Sequence, residues 1–430
     1  MVGSLNIQAH PEFGCAATRA GIPSLGTSGA SVAASKNGNW AEFLLRTARE
    51  LGPVVQLWPG TIAVTGPEEA RHILGKTDSD YFTDRSLLQR GKSLEAGTSA
   101  LAEWQASRKT ILAAMTRATL EEHTNWLIAR TERTAGQMLH QRRIDNPMRM
   151  LEDVTSASIA RYCFGTRQAD TIPAAVQTMQ DALFPIAASQ FDFPAYIRLI
   201  QPREWRSRRL HRELRAELRK VLVGSRGTGG LVTAFQSRRL DADTMIKVLI
   251  PLLMAAHRVP AAALAWALVE MAKNPAEQDR ASAAAITWNP GINASQDVCR
   301  VVDETLRLWP PLWVLNRVTS QAVPCISWTI PAGSRVLLIP WVTHRLAPCY
   351  LDAEKFDSNR WETLSQLQGA YIPFGGRPRR CPGAQFSYTE MNIILSVLLR
   401  RARFRLEGEV TPDFRRTLTP TGFQLIAEAR

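Results

Sequence analysis

The sequence predicts a mainly α-helical (α+β) fold, a large helical body carrying a small antiparallel β region. Apolar residues recur at helical spacing over several long segments, among them 101–115, 120–138, 147–162, 203–223, 244–273, 295–308 and 386–400. Short apolar runs bounded by turn residues occur in two places, which predicts two hairpins. The composition, 45% hydrophobic and 21% charged, is that of a globular protein able to bury a sizeable core. Length alone would allow about three domains. With no low-complexity linker inside the chain, one large domain over 39–430 is expected, after a loosely ordered Gly/Ser/Ala-rich leader at 1–38.

The first predicted helix follows Asn39 as N-cap, with Trp40, Phe43, Leu44 and Leu51 on one face and Gly52-Pro53 as its stop. Residues 54–57 and 61–64 read as a hairpin around Trp58-Pro59-Gly60, and 326–339 as a second one turning at Pro331-Ala332-Gly333. The basic stretch 203–219 has helical spacing. It reads as a solvated face, with a binding surface as the alternative. A formal charge of +13 invites an anionic partner, yet no run of five basic residues and no zinc-finger or RNA-binding signature is present, so no nucleic acid is expected. The six cysteines form no CxxC pair, and no run of about 18 apolar residues or signal sequence is visible. The expected protein is cytoplasmic, without a membrane anchor.

The segment Phe374-Gly375-Gly376-Arg377-Pro378-Arg379-Arg380-Cys381-Pro382-Gly383 carries the most chemistry. A cysteine just before a helix N-terminus lies in the positive end of the helix dipole, which favours thiolate. Turn N–H groups can hydrogen-bond the sulfur and tune it. Taken alone, the stretch is equally a tight loop with a structural cysteine. Similarly, Glu304 and Arg307 share a helix face and can pair, as many surface residues do. Trp104 and Arg108, four apart, can reach one carboxylate together.

Together and in this order, these residues resemble the cytochrome P450 family. Phe374, Gly375, Arg379, Cys381 and Gly383 match its F-G-x-G-x-R-x-C-x-G loop, with Arg377 in place of a glycine. Glu390 stands where the family has a glutamate on the next helix. Glu304-Thr-Leu-Arg307 matches E-x-x-R, and Arg360 the arginine that joins that pair. Ser358 replaces a commoner proline, which loosens the backbone. Trp104 and Arg108 match W-x-x-x-R, and Arg317 and Arg379 the further propionate ligands. The resemblance implies the family's helical fold and haem b, its iron (metal) held by the thiolate of Cys381, its propionates by Trp104, Arg108, Arg317 and Arg379.

The distal helix departs from the family's A-G-x-D/E-T-T/S. This chain has Ala255-Ala256-His257-Arg258-Val259-Pro260. Ala256 leaves room above the iron, but the acid and alcohol that deliver protons during oxygen activation have become Arg258 and Val259. Arginine stays protonated to about pH 12 and valine has no donor. Three substitutes are open. His257 titrates near neutrality, although the helix can turn it elsewhere. A substrate can bring its own relay, or Arg258 can clamp a substrate carboxylate; that is similar in part to the peroxide-driven branch, whose Arg-Pro is matched by Arg258 while the proline here falls one residue later. Pro260 lacks an N–H, so a kink is expected there; it either opens an oxygen groove or is a packing feature.

The implied function is an oxidoreductase, a monooxygenase of specialised metabolism acting on a small apolar or amphipathic organic molecule. Only 49 residues follow Cys381, too few for a flavin or iron–sulfur module, so electrons are expected from ferredoxin and ferredoxin reductase. Arg377 and Arg380 either face that acidic partner or serve the loop. A peroxide-driven or non-oxidative enzyme (isomerase, dehydratase, cyclase) is one alternative, and a non-catalytic haem protein another. Segments 86–99 and 182–196 and Val314 are expected to wall the pocket, where Ala187, Ala188, Phe191 and Phe193 are either lining or core.

Overall fold

The computed structural model describes residues 21–25, 40–83, 93–166, 169–187, 202–224, 229–291, 293–348, 350–366, 370–415 and 417–430. The leader, apart from residues 21–25, falls outside them, as do Asn39, Cys15 and Cys349.

Helix α1 (Trp40–Leu51) buries Phe43, Leu44 and Leu45 and leads into β1 (Val54–Trp58) and β2 (Thr61–Val64), an antiparallel hairpin. Next come α2 (Pro67–Gly75), β3 (Tyr81–Phe82), α3 (Ser99–Ala114) and α4 (Arg117–Gln141). Thr98 caps α3, and Thr116 forms a capping box with Thr119 on α4, which places each start in sequence. After β4 (Arg143–Ile144), Asn146 and Pro147 open α5 (Pro147–Phe164). The helical body continues with α6 (Thr171–Ala187), α7 (Pro202–Gly224), α8 (Gly230–Ser237), α9 (Ala242–Lys273), α10 (Pro275–Thr287) and α11 (Gln296–Leu308).

α9 is the axis of the molecule. Asp241 caps it, and it runs unbroken through Pro251 and Pro260. It is apolar and long enough to cross a membrane by those criteria, and most of it is packed inside the protein. Trp266 stacks on Trp309 at 3.8 Å and donates to the Leu418 carbonyl at 3.2 Å.

The second expected hairpin does not form. β6 (Val323–Cys325) pairs with β7 (Trp328–Ile330), turning at Ile326-Ser327. The chain then turns at 331–334 into β8 (Arg335–Leu338), which lies antiparallel to β5 (Leu315–Thr319) and parallel to β2. Both edges of β8 are thereby occupied, so β7 has no place beside it. The five-stranded sheet runs β1-β2-β8-β5-β3 and is mixed, where sequence periodicity predicted antiparallel pairing only. α12 (Pro340–Leu346), a 3₁₀ turn (Ser358–Glu362) and α13 (Ala384–Arg401) follow. A long hairpin of β9 (Ala402–Asp413) and β10 (Thr419–Ala429), with β4 beside it, closes the chain.

Candidate active site

The cysteine loop hangs between Tyr371 and the start of α13. The Gly375 N–H donates to the Ile372 carbonyl at 3.0 Å, and the Cys381 N–H to the Phe374 carbonyl at 2.9 Å. Gly375 takes φ +69°, a conformation glycine adopts without strain. A Cβ on Gly376 would meet Leu74 at 2.9 Å, so α2 packs directly on the loop. Phe374 packs on the main core. Cys381 is exposed, yet desolvation by surrounding protein is the largest influence on its thiol and raises its pKa. Accessibility together with dense surroundings describes a thiol on the wall of a recess. The Gly383 N–H, Arg108 and Arg380 pull the other way. A metal ion at such a sulfur removes the proton outright.

Beside the loop, three guanidiniums gather round one carboxylate. Arg379 forms an ion pair with Asp78, donates to Thr83 Oγ1 and to the Leu94 carbonyl at 3.0 Å, and lies 4.9 Å from the Trp104 ring. Arg108 sits 5.6 Å from that ring. Arg317 is buried, donating to Thr77 Oγ1 at 3.1 Å. Burial, then Arg379, pushes its pKa down to about 10. Asp78, Trp104, Arg108 and Pro378 line a recess of about 520 Å³. Arg108, Arg317 and Arg379 against Asp78 leave two positive charges, which two propionates would balance.

Glu304 anchors a second network and is fully buried, as is Arg307. Arg307 makes a two-pronged pair with it, both bonds 2.8 Å, and Arg360 Nε reaches Oε1 at 2.9 Å. The Trp361 indole and the Asp357 N–H, neither singled out in the sequence, add bonds of 3.0 Å each. Ser358 does not loosen this segment. Its buried hydroxyl donates to Glu277 at 2.7 Å and accepts from Arg280, tethering the 3₁₀ turn to α10.

On α9 the structure separates residues that the sequence grouped. Arg258 forms an ion pair with Glu152 of α5 at 3.2 Å. His257 is buried, its Nε2 against Gln177 of α6, while Thr155 donates to its carbonyl at 2.7 Å. Burial, then Arg258 and Arg149, pushes the His257 pKa down to about 4, so it is neutral near pH 7 rather than titrating there. Ala256 is also buried and Pro260 packs inward, whereas Ala255 is exposed and Pro251 and Val259 are partly open. These three lie four residues apart on one helix face, so an accessible space runs along that face. Ala255 was missed in the sequence; its spacing from Val259 was the available signal. Of the expected pocket wall, 86–92 and 188–196 lie outside the described residues, including Ala188, Phe191 and Phe193. Ala187 ends α6, and Val314 packs against the main core.

A family model described as Cytochrome P450 matches residues 232–427, a span that holds α9, the Glu304 network and the cysteine loop. Over that span, somewhat under half of its length, the chain is similar to the cytochrome P450 family. A Mycobacterium bovis protein named "Putative cytochrome P450 135B1" is 36% identical over 154 residues, 36% of this chain and 33% of that protein. Cyclooctatin synthase of Streptomyces melanosporofaciens is 31% identical over 191 residues, 42% of each. The chain thus spans about a third to two fifths of the length of these curated relatives. Cysteine-ligated haem b is this family's cofactor. The recessed thiol and the doubly positive arginine cluster are what such a group needs.

Proposed function

We propose that the protein is a haem-thiolate oxidoreductase, a monooxygenase of specialised metabolism acting on a small apolar or amphipathic organic molecule. Residues 39–430 act as one haem domain. Cys381 would supply the sulfur that holds the iron, while the Gly383 N–H and Arg108 temper its charge. Trp104, Arg108, Arg317 and Arg379 would hold the propionates. Glu304, Arg307 and Arg360 fix the segment leading to the loop. Bound haem supplies one-electron and oxygen chemistry that side chains lack. The carrying observation is the recessed, solvent-open Cys381 beside the arginine cluster. Ala255 and Val259, open along one face of α9, would line the substrate space, where their small apolar side chains admit substrate and exclude water. One relative is named a synthase, in line with this reading. Electrons come from a separate ferredoxin and its reductase, and the protein is cytoplasmic.

The test is the ferrous carbonyl spectrum. The reconstituted protein gives the red-displaced band of thiolate ligation, and Cys381→Ser loses it while remaining folded. An unshifted band in the parent protein overturns the reading. A second reading, a peroxide-driven or non-oxidative enzyme, draws on the donor-free stripe Pro251, Ala255 and Val259 and on Arg258 and His257 being held by Glu152 and Gln177. Turnover with hydrogen peroxide, compared with turnover on reductant and ferredoxin, separates the two.

A further inference from the structure

We propose that Asp303 is a positioning residue that clamps both flanks of the cysteine loop to α11. It sits one residue before Glu304 but serves a different network. Its Oδ1 accepts from Tyr371 at 3.0 Å and from Gln366 at 2.6 Å; its Oδ2 accepts from Tyr388 at 2.9 Å. Tyr371 lies three residues before Phe374, and Tyr388 seven residues after Cys381, on the first turns of α13. One carboxylate therefore holds the chain where it enters the loop and where it leaves.

Burying a carboxylate is costly, and the three hydrogen-bond donors here are two phenols and an amide rather than a cation. Tyrosine hydroxyls are donors of limited reach on rigid rings, so the three bonds fix positions rather than merely neutralise charge. The rings are themselves packed: Tyr371 lies 4.7 Å from Trp361 by centroids.

The two flanks are not equally dependent on the clamp. The leading flank has a second tether in His344 of α12. Its Nδ1 donates to the Arg307 carbonyl at 2.9 Å, which leaves Nε2 to accept from the Ile372 N–H at 3.0 Å. On the trailing flank, the Tyr388 hydroxyl has the Cys299 carbonyl at 3.3 Å as its alternative, on the same helix as Asp303. Removing the Tyr388 hydroxyl should therefore disturb the sulfur more than removing that of Tyr371.

The proposal rests on Cys381 being the iron ligand. The test uses the full-length haem-loaded protein and follows conversion of the red-displaced ferrous carbonyl band to the unshifted one in mild denaturant. Helix content is recorded in parallel. Tyr388→Phe is expected to convert roughly tenfold faster than the parent, about the worth of one hydrogen bond to a charged acceptor. Tyr371→Phe should accelerate conversion less. The double variant should match Asp303→Ala rather than exceed it, since all three changes remove one clamp. Val301→Ala, a packing change on the same helix, should lower helix stability without speeding band conversion ahead of unfolding. Unchanged conversion in the double variant overturns the clamp, as does conversion that coincides with loss of helix in every variant. A parent protein that never shows the displaced band overturns the ligand assignment, and the clamp with it.

Discussion

Replacing Glu390 by glutamine is expected to stabilise the protein by an amount that grows with pH. Glu390 lies on α13 with 1% of its surface exposed, and neither carboxyl oxygen has a hydrogen bond of normal geometry. Burial pushes its pKa up from 4.5 to about 8, with slight relief from the Ser158 hydroxyl. His123, whose Nε2 lies 3.0 Å from that hydroxyl, supplies no charge, because burial pushes its pKa down to about 3. The folded chain therefore binds the Glu390 proton more tightly than the unfolded chain does. Below the unfolded value both forms are protonated and the group is neutral to stability. As pH rises from there, the unfolded carboxyl ionises into water while the folded one cannot, and stability falls by about 1.4 kcal/mol per pH unit until the folded value is reached. Glutamine imitates the protonated acid and does not titrate. The variant should be indistinguishable from the parent near pH 4, more stable by about 3 kcal/mol at pH 7, and by about 5 kcal/mol from pH 8 upward. Denaturant unfolding of both proteins across this range, followed by tryptophan fluorescence, measures the difference directly, with other titrating groups cancelling between them. A stability difference that stays flat with pH would refute the reasoning.

Glu304→Ala strands two buried guanidiniums, Arg307 and Arg360, and should cost about 3–5 kcal/mol, read as a lowered denaturation midpoint. Arg379→Gln removes a charge from the cluster around Asp78 and Trp104 and should weaken haem retention roughly tenfold, measured by transfer of haem to an acceptor protein. Val259→Thr places a hydroxyl on the open face of α9. It should raise product formed per oxygen consumed several-fold in the ferredoxin-driven reaction and leave peroxide-driven turnover unchanged.

Features written in short stretches of chain were legible before any coordinates. The faces of α1 and α11 and the spacing of Glu304 with Arg307 follow from helix geometry, which repeats every few residues whatever surrounds it. The cysteine loop was legible for the same reason, since ten residues held its cysteine and its turn glycine directly before α13. What periodicity cannot say is which neighbour a face meets. That β8 would take β2 and β5, leaving β7 to β6, depends on pairings up to 274 residues apart. That Ala255 rather than Ala256 would be exposed, with His257 and Arg258 turned to α6 and α5, depends on how α9 is rotated among its neighbours. Asp303 and Ser358 looked like ordinary polar residues on their own segments. Only tertiary packing, which brings Tyr371, Tyr388 and α10 against them and removes competing water, turned each into a tether.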